Sequence, residues 1–468
     1  MNVCLDRTRS GTRHLVAIIS ASLTALLCCA PAFAQGVPKQ TFPRLGGYQI
    51  GKMPYEGSYS DPEYHRDLAK LDYVIFGSQT AGINDDARAI RKLNPKIILA
   101  KYSKLQSIPI EYKGYAAVKR DKVSSERGPN NSNASDWWAR DFDGNNVSNW
   151  PNNWTVNITK YVNPDSNGDR FPEWAAKLDY EWWLQYDVWD AIYEDAVYWQ
   201  PRTPSSGKSV DWSGGKETDQ KKIKSAFRLG HQAFWNKLKE LAPNKYVFVN
   251  HDWYRSELPS ALGRWELHEY DQQVHGGLLE LVMRSSDLVK PRTPWDRVMF
   301  FYRRSMDYFL DPDITMFVVE GEPDNYRFFR YSFATCLMND GYFDYAPVGS
   351  YQYGTVEWFD EFDLAGNAGT DWLGLALDPP PRAAWKSGVW RRDFEAGTAL
   401  VNPKGNGKVS VSIESGFRRI DGRQDPTVNN GKPAGTITLQ DGDGIILVRE
   451  NAVIKKKVAP KPPTLMAE

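Results

Sequence analysis

The stretch WDAIYEDA, Trp189 to Ala196, is a short apolar and aromatic run that ends in two adjacent acids, Glu194 and Asp195. A buried carboxylate is costly unless it is paired, hydrogen-bonded or used in chemistry. Read as a strand, Ala191, Tyr193 and Asp195 share one face, while Ile192, Glu194 and Ala196 share the other. If Ala191 and Tyr193 point into a barrel, Asp195 projects inward at the C-terminal mouth. Glu194 then faces a helix layer or a neighbouring loop. The two acids are not a dyad on this reading, and only Asp195 is placed for chemistry. The bland alternative is that Asp195 caps the turn that follows.

Similar runs recur on both sides. LGGYQIG (Leu45 to Gly51), LDYVIFGS (Leu71 to Ser78) and KIILAKYS (Lys96 to Ser103) precede it. KYVFVNHD (Lys245 to Asp252), GRWELHEY (Gly263 to Tyr270), TMFVVEGE (Thr315 to Glu322) and GYFDYAP (Gly341 to Pro347) follow. Helical periodicity separates several of them, most clearly from Lys221 to Ala242, and also in DDARAIRKLNP and NYRFFRYSFATCLMND. Eight strands with intervening helices predict an α/β fold, a (β/α)8 TIM barrel. A doubly wound sheet is the alternative, but GYQIGKMPYEG lacks the Gly-rich phosphate loop expected after its first strand. A long insertion between strands three and four, Leu105 to Tyr186, is rich in Asn, Asp, Gly and Trp, and should wall the site. Past DPPPRAA the pattern turns to short alternating strands, predicting a small antiparallel β domain. The expected division is a signal peptide over 1–34, a barrel over 35–384, a β-sheet domain over 385–450 and a disordered tail over 451–468.

The signal reading rests on three basic residues, Arg7, Arg9 and Arg13, an apolar run from Leu15 to Ala30, and AFA at 32–34. Lipidation at Cys28 or Cys29 is disfavoured by Leu26 and Leu27. No later segment approaches the roughly 20 apolar residues of a membrane span. Export to the periplasm or medium is the expectation. Without residues 1–34 the net charge is about −2 and one cysteine, Cys336, is left. Near-neutral charge argues against a nucleic-acid partner. A single cysteine forms no internal disulfide, so stability must come from a large core. The aromatic content, 13% with 18 tryptophans, leans towards carbohydrate, whose rings stack on aromatic faces.

Glycoside cleavage needs a second carboxyl across the bond. GRWELHEYD offers Glu269, on the same face as Trp265 and Leu267, with Glu266 as the fallback if the register slips. Glu320, in VVEGEPD, is either a third carboxylate or a partner for an arginine. Asn250 and Asp252, in VNHDWY, suit sugar hydroxyls. Tyr48, Tyr102, Trp138, Tyr198, Trp199 and Tyr342 complete the expected substrate contacts. Trp137, Trp138, Trp150 and Trp154 should border the cleft, with at least half of them packing the insertion instead. DSNGDR and DFDGNN read as Asx-rich turns rather than calcium loops. Neither HExxH nor GxSxG is present, and no metal or cofactor is expected.

FPRLGGYQIG, LDYVIFGS, NPKIILAKYSKLQSIP, WWARDFDGNNVSNWP and WDAIYEDAV, with the closing WRRDFEAGTALVNP, GFRRIDGRQDPTVNNG and DGDGIILVRE, together resemble the glycosyl hydrolases of the hypothetical family numbered fifteen. The resemblance covers nearly all of the chain after residue 34. It implies a (β/α)8 barrel distantly similar to α-galactosidase-like and polygalactosaminidase-like enzymes, with acids ending strands four and six. Asp195 matches the strand-four acid, and Glu269 is carried over as the strand-six acid. The usual DG and DN around the first acid appear here as Asp190-Ala191 and Asp195-Ala196. Two functions follow as expectations: a polysaccharide hydrolase using Asp195 and Glu269, or a non-catalytic carbohydrate-binding or polysaccharide-export factor on the same scaffold. Two converging carboxyls favour the first; a lone Asp195 favours the second.

Overall fold

The computed structural model describes residues 36–50, 60–77, 82–111, 113–126, 136–250, 270–349 and 354–454. Eight parallel strands form one sheet: Gly46–Gln49, Tyr73–Phe76, Ile98–Lys104, Ala191–Asp195, Tyr246–Asn250, Gly276–Arg284, Ile314–Gly321 and Tyr342–Pro347. The order follows the chain, as successive β–α crossovers require. Strand one meets strand eight through a parallel bridge between Leu45 and Phe343. Next to it, the Tyr48 amide donates to Asp344 Oδ2 at 2.9 Å, so a side chain continues the seam where backbone pairing stops.

Alternation in these strands divides the core in two. Tyr48, Tyr73, Ile75, Ile98, Ala100, Ala191, Tyr193, Phe248, Leu278, Met316 and Val318 fill the barrel interior. Val74, Leu99, Ile192, Val247, Leu279, Phe317 and Val319 face outward and pack in a separate cluster with the helices.

Helix Gln220–Leu241 follows the periodicity expected of it, and the Asp219 carboxylate caps it by accepting from the Lys221 amide at 2.9 Å. Gly230 lets this helix lie against the insertion, because a Cβ there would stand 2.1 Å from the Ile158 carbonyl oxygen. Helices Ile83–Leu93 and Tyr326–Leu337 also occupy the segments expected to be helical.

One strand departs from expectation. The sixth barrel strand is Gly276–Arg284, pairing between Tyr246–Asn250 and Ile314–Gly321, where the sequence reading expects Gly263–Tyr270. Buried parallel strands read as continuous apolar runs, and GGLLELVMR carries no clean alternation to separate strand from helix. Its register is also broken between Leu279 and Met283, with Leu281 in the left-handed region at φ 48°. Glu266, Glu269 and Asp252 lie outside the described residues.

The insertion contains a hairpin, Ser107–Pro109 with Asn153–Thr155, and helices Tyr115–Ser125 and Phe171–Asp179. Both acidic fragments in it are Asx-type turns. Asp165 Oδ1 accepts from the Asn167 and Asp169 amides, and Asp141 Oδ1 from those of Asp143 and Asn145. Lys122 and Lys208 pair with the two carboxylates. Towards the C-terminus, strands Trp390–Asp393, Gly397–Asn402, Asp443–Arg449 and Phe417–Arg419 form an antiparallel sheet beside the pair Val409–Ser412 and Thr436–Leu439. Arg330, on helix Tyr326–Leu337, fastens that sheet by donating to the Gly444 carbonyl at 3.2 Å and pairing with Asp425.

Burial inside the barrel raises the Asp344 carboxyl to about 7, against the lowering effect of its bond from the Tyr48 amide. The folded state therefore holds this proton more tightly than the unfolded chain. The resulting stability is fully present at acidic pH and is lost as pH rises through about 7. Asp344→Asn keeps an acceptor for Tyr48 and removes the ionisation. Thermal melts between about pH 5 and about pH 9 should lose several degrees less in this variant than in the wild type.

Candidate functional site

The strand Ala191–Asp195 sends its two acids to opposite sides. Ala191 and Tyr193 lie in the barrel interior, so Asp195 follows them inward at the strand's last position. Glu194 is fully buried on the other side, where His231 Nδ1 meets Oε1 at 2.7 Å and Trp235 Nε1 donates to Oε2 at 2.5 Å. Both partners belong to helix Gln220–Leu241. Gln106 Nε2 lies 2.8 Å from His231 Nε2 and also donates to the Ala196 carbonyl at 2.6 Å. With Gln106 donating to Nε2, the ring proton of His231 is on Nδ1 and points at Glu194. The chain leaves Asp195 through Ala196, whose φ of 60° is left-handed. An Asn, usual here in the resembling family, accepts that conformation more readily than Ala.

Asp195 opens into a cavity of about 310 Å³ at the C-terminal ends of the strands, also lined by Tyr48, Tyr102, Tyr198, Asn250 and Glu280. The Tyr102 hydroxyl donates to Asp195 Oδ2 at 2.7 Å. Asn250 Nδ2 donates at 2.9 Å to Asp195 Oδ1 and at 2.9 Å to Glu280 Oε2. These two oxygens are therefore no farther apart than twice that distance. Burial, reinforced by the Asp195 charge, holds the Tyr48, Tyr102 and Tyr193 hydroxyls well above the usual tyrosine range, so they stay protonated as donors.

Glu280 is the residue that sequence reasoning missed. It is the lone acid in GGLLELVMR, the same signal that marks WDAIYEDA, in a strand whose apolar run lacks the alternation of GRWELHEY upstream. The break in register beside it matters, since Leu278 and Leu281 both belong to the interior cluster with Glu280 between them. A bulge re-aims side chains in this way.

Four expected contacts are not among the described residues lining this cavity. Tyr342 starts strand eight at the barrel's opposite end, where its hydroxyl accepts from the Lys39 amide at 2.9 Å. Trp138 is buried in the insertion, edge-on to Trp154 at 5.4 Å, with Nε1 donating to Ser124 Oγ. Trp199 packs edge-on against Tyr270 at 5.5 Å. Glu320 pairs at 3.1 Å with Arg284, which does line the cavity, so it takes the arginine-partner role. Of the four insertion tryptophans only Trp150 reaches the cavity; Trp137 is wholly buried, its Nε1 bonded to the Asn163 carbonyl.

A parallel barrel with two carboxylates sharing a cavity at its C-terminal mouth is suited to glycoside cleavage. The chain belongs to hypothetical glycosyl hydrolase family 15, whose profile matches residues 91–398, well over half of the sequence, and so to the glycoside hydrolases. A search of curated proteins finds no match. Similar solved structures include the glycoside hydrolase domain of PelA from Pseudomonas aeruginosa, 11% identical with a TM-score of 0.37, covering 67% of this chain and 97% of that one. An α-amylase from Anoxybacillus is 10% identical with a TM-score of 0.44, covering 89% and 98%. A maltogenic amylase from S. marinus is 10% identical with a TM-score of 0.46, covering 90% and 65%.

Glu194→Ala would strand His231 and the Trp235 indole N–H in a dry layer. Unfolding in denaturant should show a loss on the order of 3 kcal/mol or more. Asp195→Asn, at the partly solvated mouth, should cost within about 1 kcal/mol.

Proposed function

We propose that this chain is an exported hydrolase that cleaves glycosidic bonds in a polysaccharide with Asp195 and Glu280 as its carboxylate pair. The observation that carries the reading is the Asn250 amide, which bonds both carboxylates at 2.9 Å. Glu280 takes the part that the sequence had given to Glu269. A carbohydrate-binding factor would have no need for the second acid, so the pair favours an enzyme. Trp150, exposed at the cavity, and Tyr198 offer faces on which sugar rings can stack. Among the described residues no helix is long and apolar enough to cross a membrane.

One amide nitrogen holding an oxygen of each carboxylate at 2.9 Å favours a closely set pair, as in retention at about 5–5.5 Å, over the roughly 6.5–9.5 Å that inversion needs to admit a water. In the first half-reaction Glu280 gives its proton to the leaving glycosidic oxygen as Asp195 attacks the anomeric carbon. A covalent glycosyl-enzyme forms and the leaving sugar departs. In the second, Glu280 takes a proton from water, which attacks the same carbon and frees Asp195. Asp195 suits the nucleophile because Tyr102 and Asn250 satisfy both its oxygens and fix its direction.

Purified protein should cleave members of a polysaccharide panel with retention, read by proton NMR of the first-formed anomer. Glu280→Gln should lose about 10²–10⁴-fold of that activity. On an activated aryl glycoside it should accumulate an adduct on Asp195 visible by mass spectrometry. Near wild-type turnover by Asp195→Asn would remove it from the mechanism, and an inverted product would rule out the covalent route.

A further inference from the structure

The pairing of strands three and four stops at Lys104 and Asp195. Were strand four to continue, Val197 would share the inward face of Asp195. Val197 is instead fully buried in the outer cluster that packs against the helices. Ala196 makes the reversal, at the left-handed φ of 60° that a residue carrying a Cβ adopts unfavourably. That turn leaves Asp195 as the last inward residue of its strand, at the barrel mouth. An alanine stays in such a conformation only where its surroundings fix it.

Gln106 meets the turn from behind. It lies just past the end of strand three, and its own backbone is fixed by the insertion. Its carbonyl accepts from the Val156 amide at 2.8 Å, and the next residue, Ser107, pairs with Thr155 in the hairpin. The side chain is buried, and Nε2 directs its two hydrogens to the Ala196 carbonyl, at 2.6 Å, and to His231 Nε2, at 2.8 Å. The opposite orientation of this amide would set its oxygen against the Ala196 carbonyl, so the donor is assigned by chemistry. One amide thus bonds both the turn after Asp195 and the imidazole that engages Glu194 before it. Gln106 itself is not among the described residues that line the cavity.

We infer that Gln106 is a positioning residue, whose amide holds Ala196 in the left-handed turn and so aims the Asp195 carboxylate into the cavity. The insertion thereby supplies a brace for the strand-four acid as well as a wall for the cavity. This deepens the glycosidase reading and rests on it for the role of Asp195. The holding of the turn does not depend on that reading.

Gln106→Met keeps the length of the side chain and removes the amide. Hydrogen exchange over residues 195–199, read by mass spectrometry, should quicken about tenfold or more in this variant. On a panel substrate that the wild type cleaves, kcat should fall about 10²-fold while KM stays within about twofold. Ala196→Gly removes the Cβ that disfavours the turn, and adding it to Gln106→Met should restore most of the lost kcat. A residue that only stabilised the fold would lower activity in step with the folded fraction and show no such rescue. Gln106→Glu, of the same size, is the second variant should Gln106→Met not fold. Only its protonated acid can donate to the carbonyl, so its kcat relative to wild type should rise as pH is lowered from about 8 to about 5. Unchanged exchange, a kcat within about twofold of wild type, or a loss that Ala196→Gly leaves in full would overturn the inference. A wild type that cleaves nothing would end the hydrolase reading, and the exchange measurement would still decide whether Gln106 holds the turn.

Discussion

The rest of the site depends on where Glu194 is held. Both its oxygens are engaged by ring N–H groups of one helix, His231 and Trp235. A one-residue slip of strand four would bury that carboxylate among barrel aromatics and turn Asp195 towards the helices. Breaking the network leaves a charge and two donors unpartnered in a dry layer, a penalty of several kcal/mol. Gln106 extends the clamp to the Ala196 carbonyl, so the turn that aims Asp195 is fixed from behind. The acid that does no chemistry sets the direction of the one proposed to do it.

The outer face of strands three and four is unusually polar for a barrel. Lys101 and Glu194 are both fully buried there, with Lys119 and Asp179 nearby in the insertion. Burial pulls the Lys101 and Lys119 amines down to about 7 and pushes the Asp179 carboxyl up to about 8. Polar groups of this kind are satisfied only in one arrangement, which favours a unique fit of the insertion on the barrel. That fit carries Trp150 to the cavity while Trp137, Trp138 and Trp154 pack behind it.

Strand four was legible because its inward residues are small or aromatic and its acids break the apolar run at a definite parity. The helix Gln220–Leu241 was legible for the matching reason, a clear 3.6-residue period. Strand six was not. Gly276 and Gly277 give no side-chain pattern at its start, and the left-handed Leu281 places inward residues out of step. GRWELHEY alternates more cleanly and so looks more like a strand ending in acids. Tyr342 shows another limit: its parity is right, but parity does not say which end of a strand a residue occupies.

Helix Tyr326–Leu337 has a further consequence. From Phe328 to Leu337 every residue is buried, because strands of the barrel lie under it and the antiparallel sheet covers it through Arg330. Such a helix has no solvent face to keep a severed barrel soluble. The closing sheet is thus a roof for this helix, and the seam between them is as much core as the barrel interior. Dividing this protein for expression or for grafting onto another scaffold should respect that layering, even though the sequence pattern changes abruptly just past residue 384.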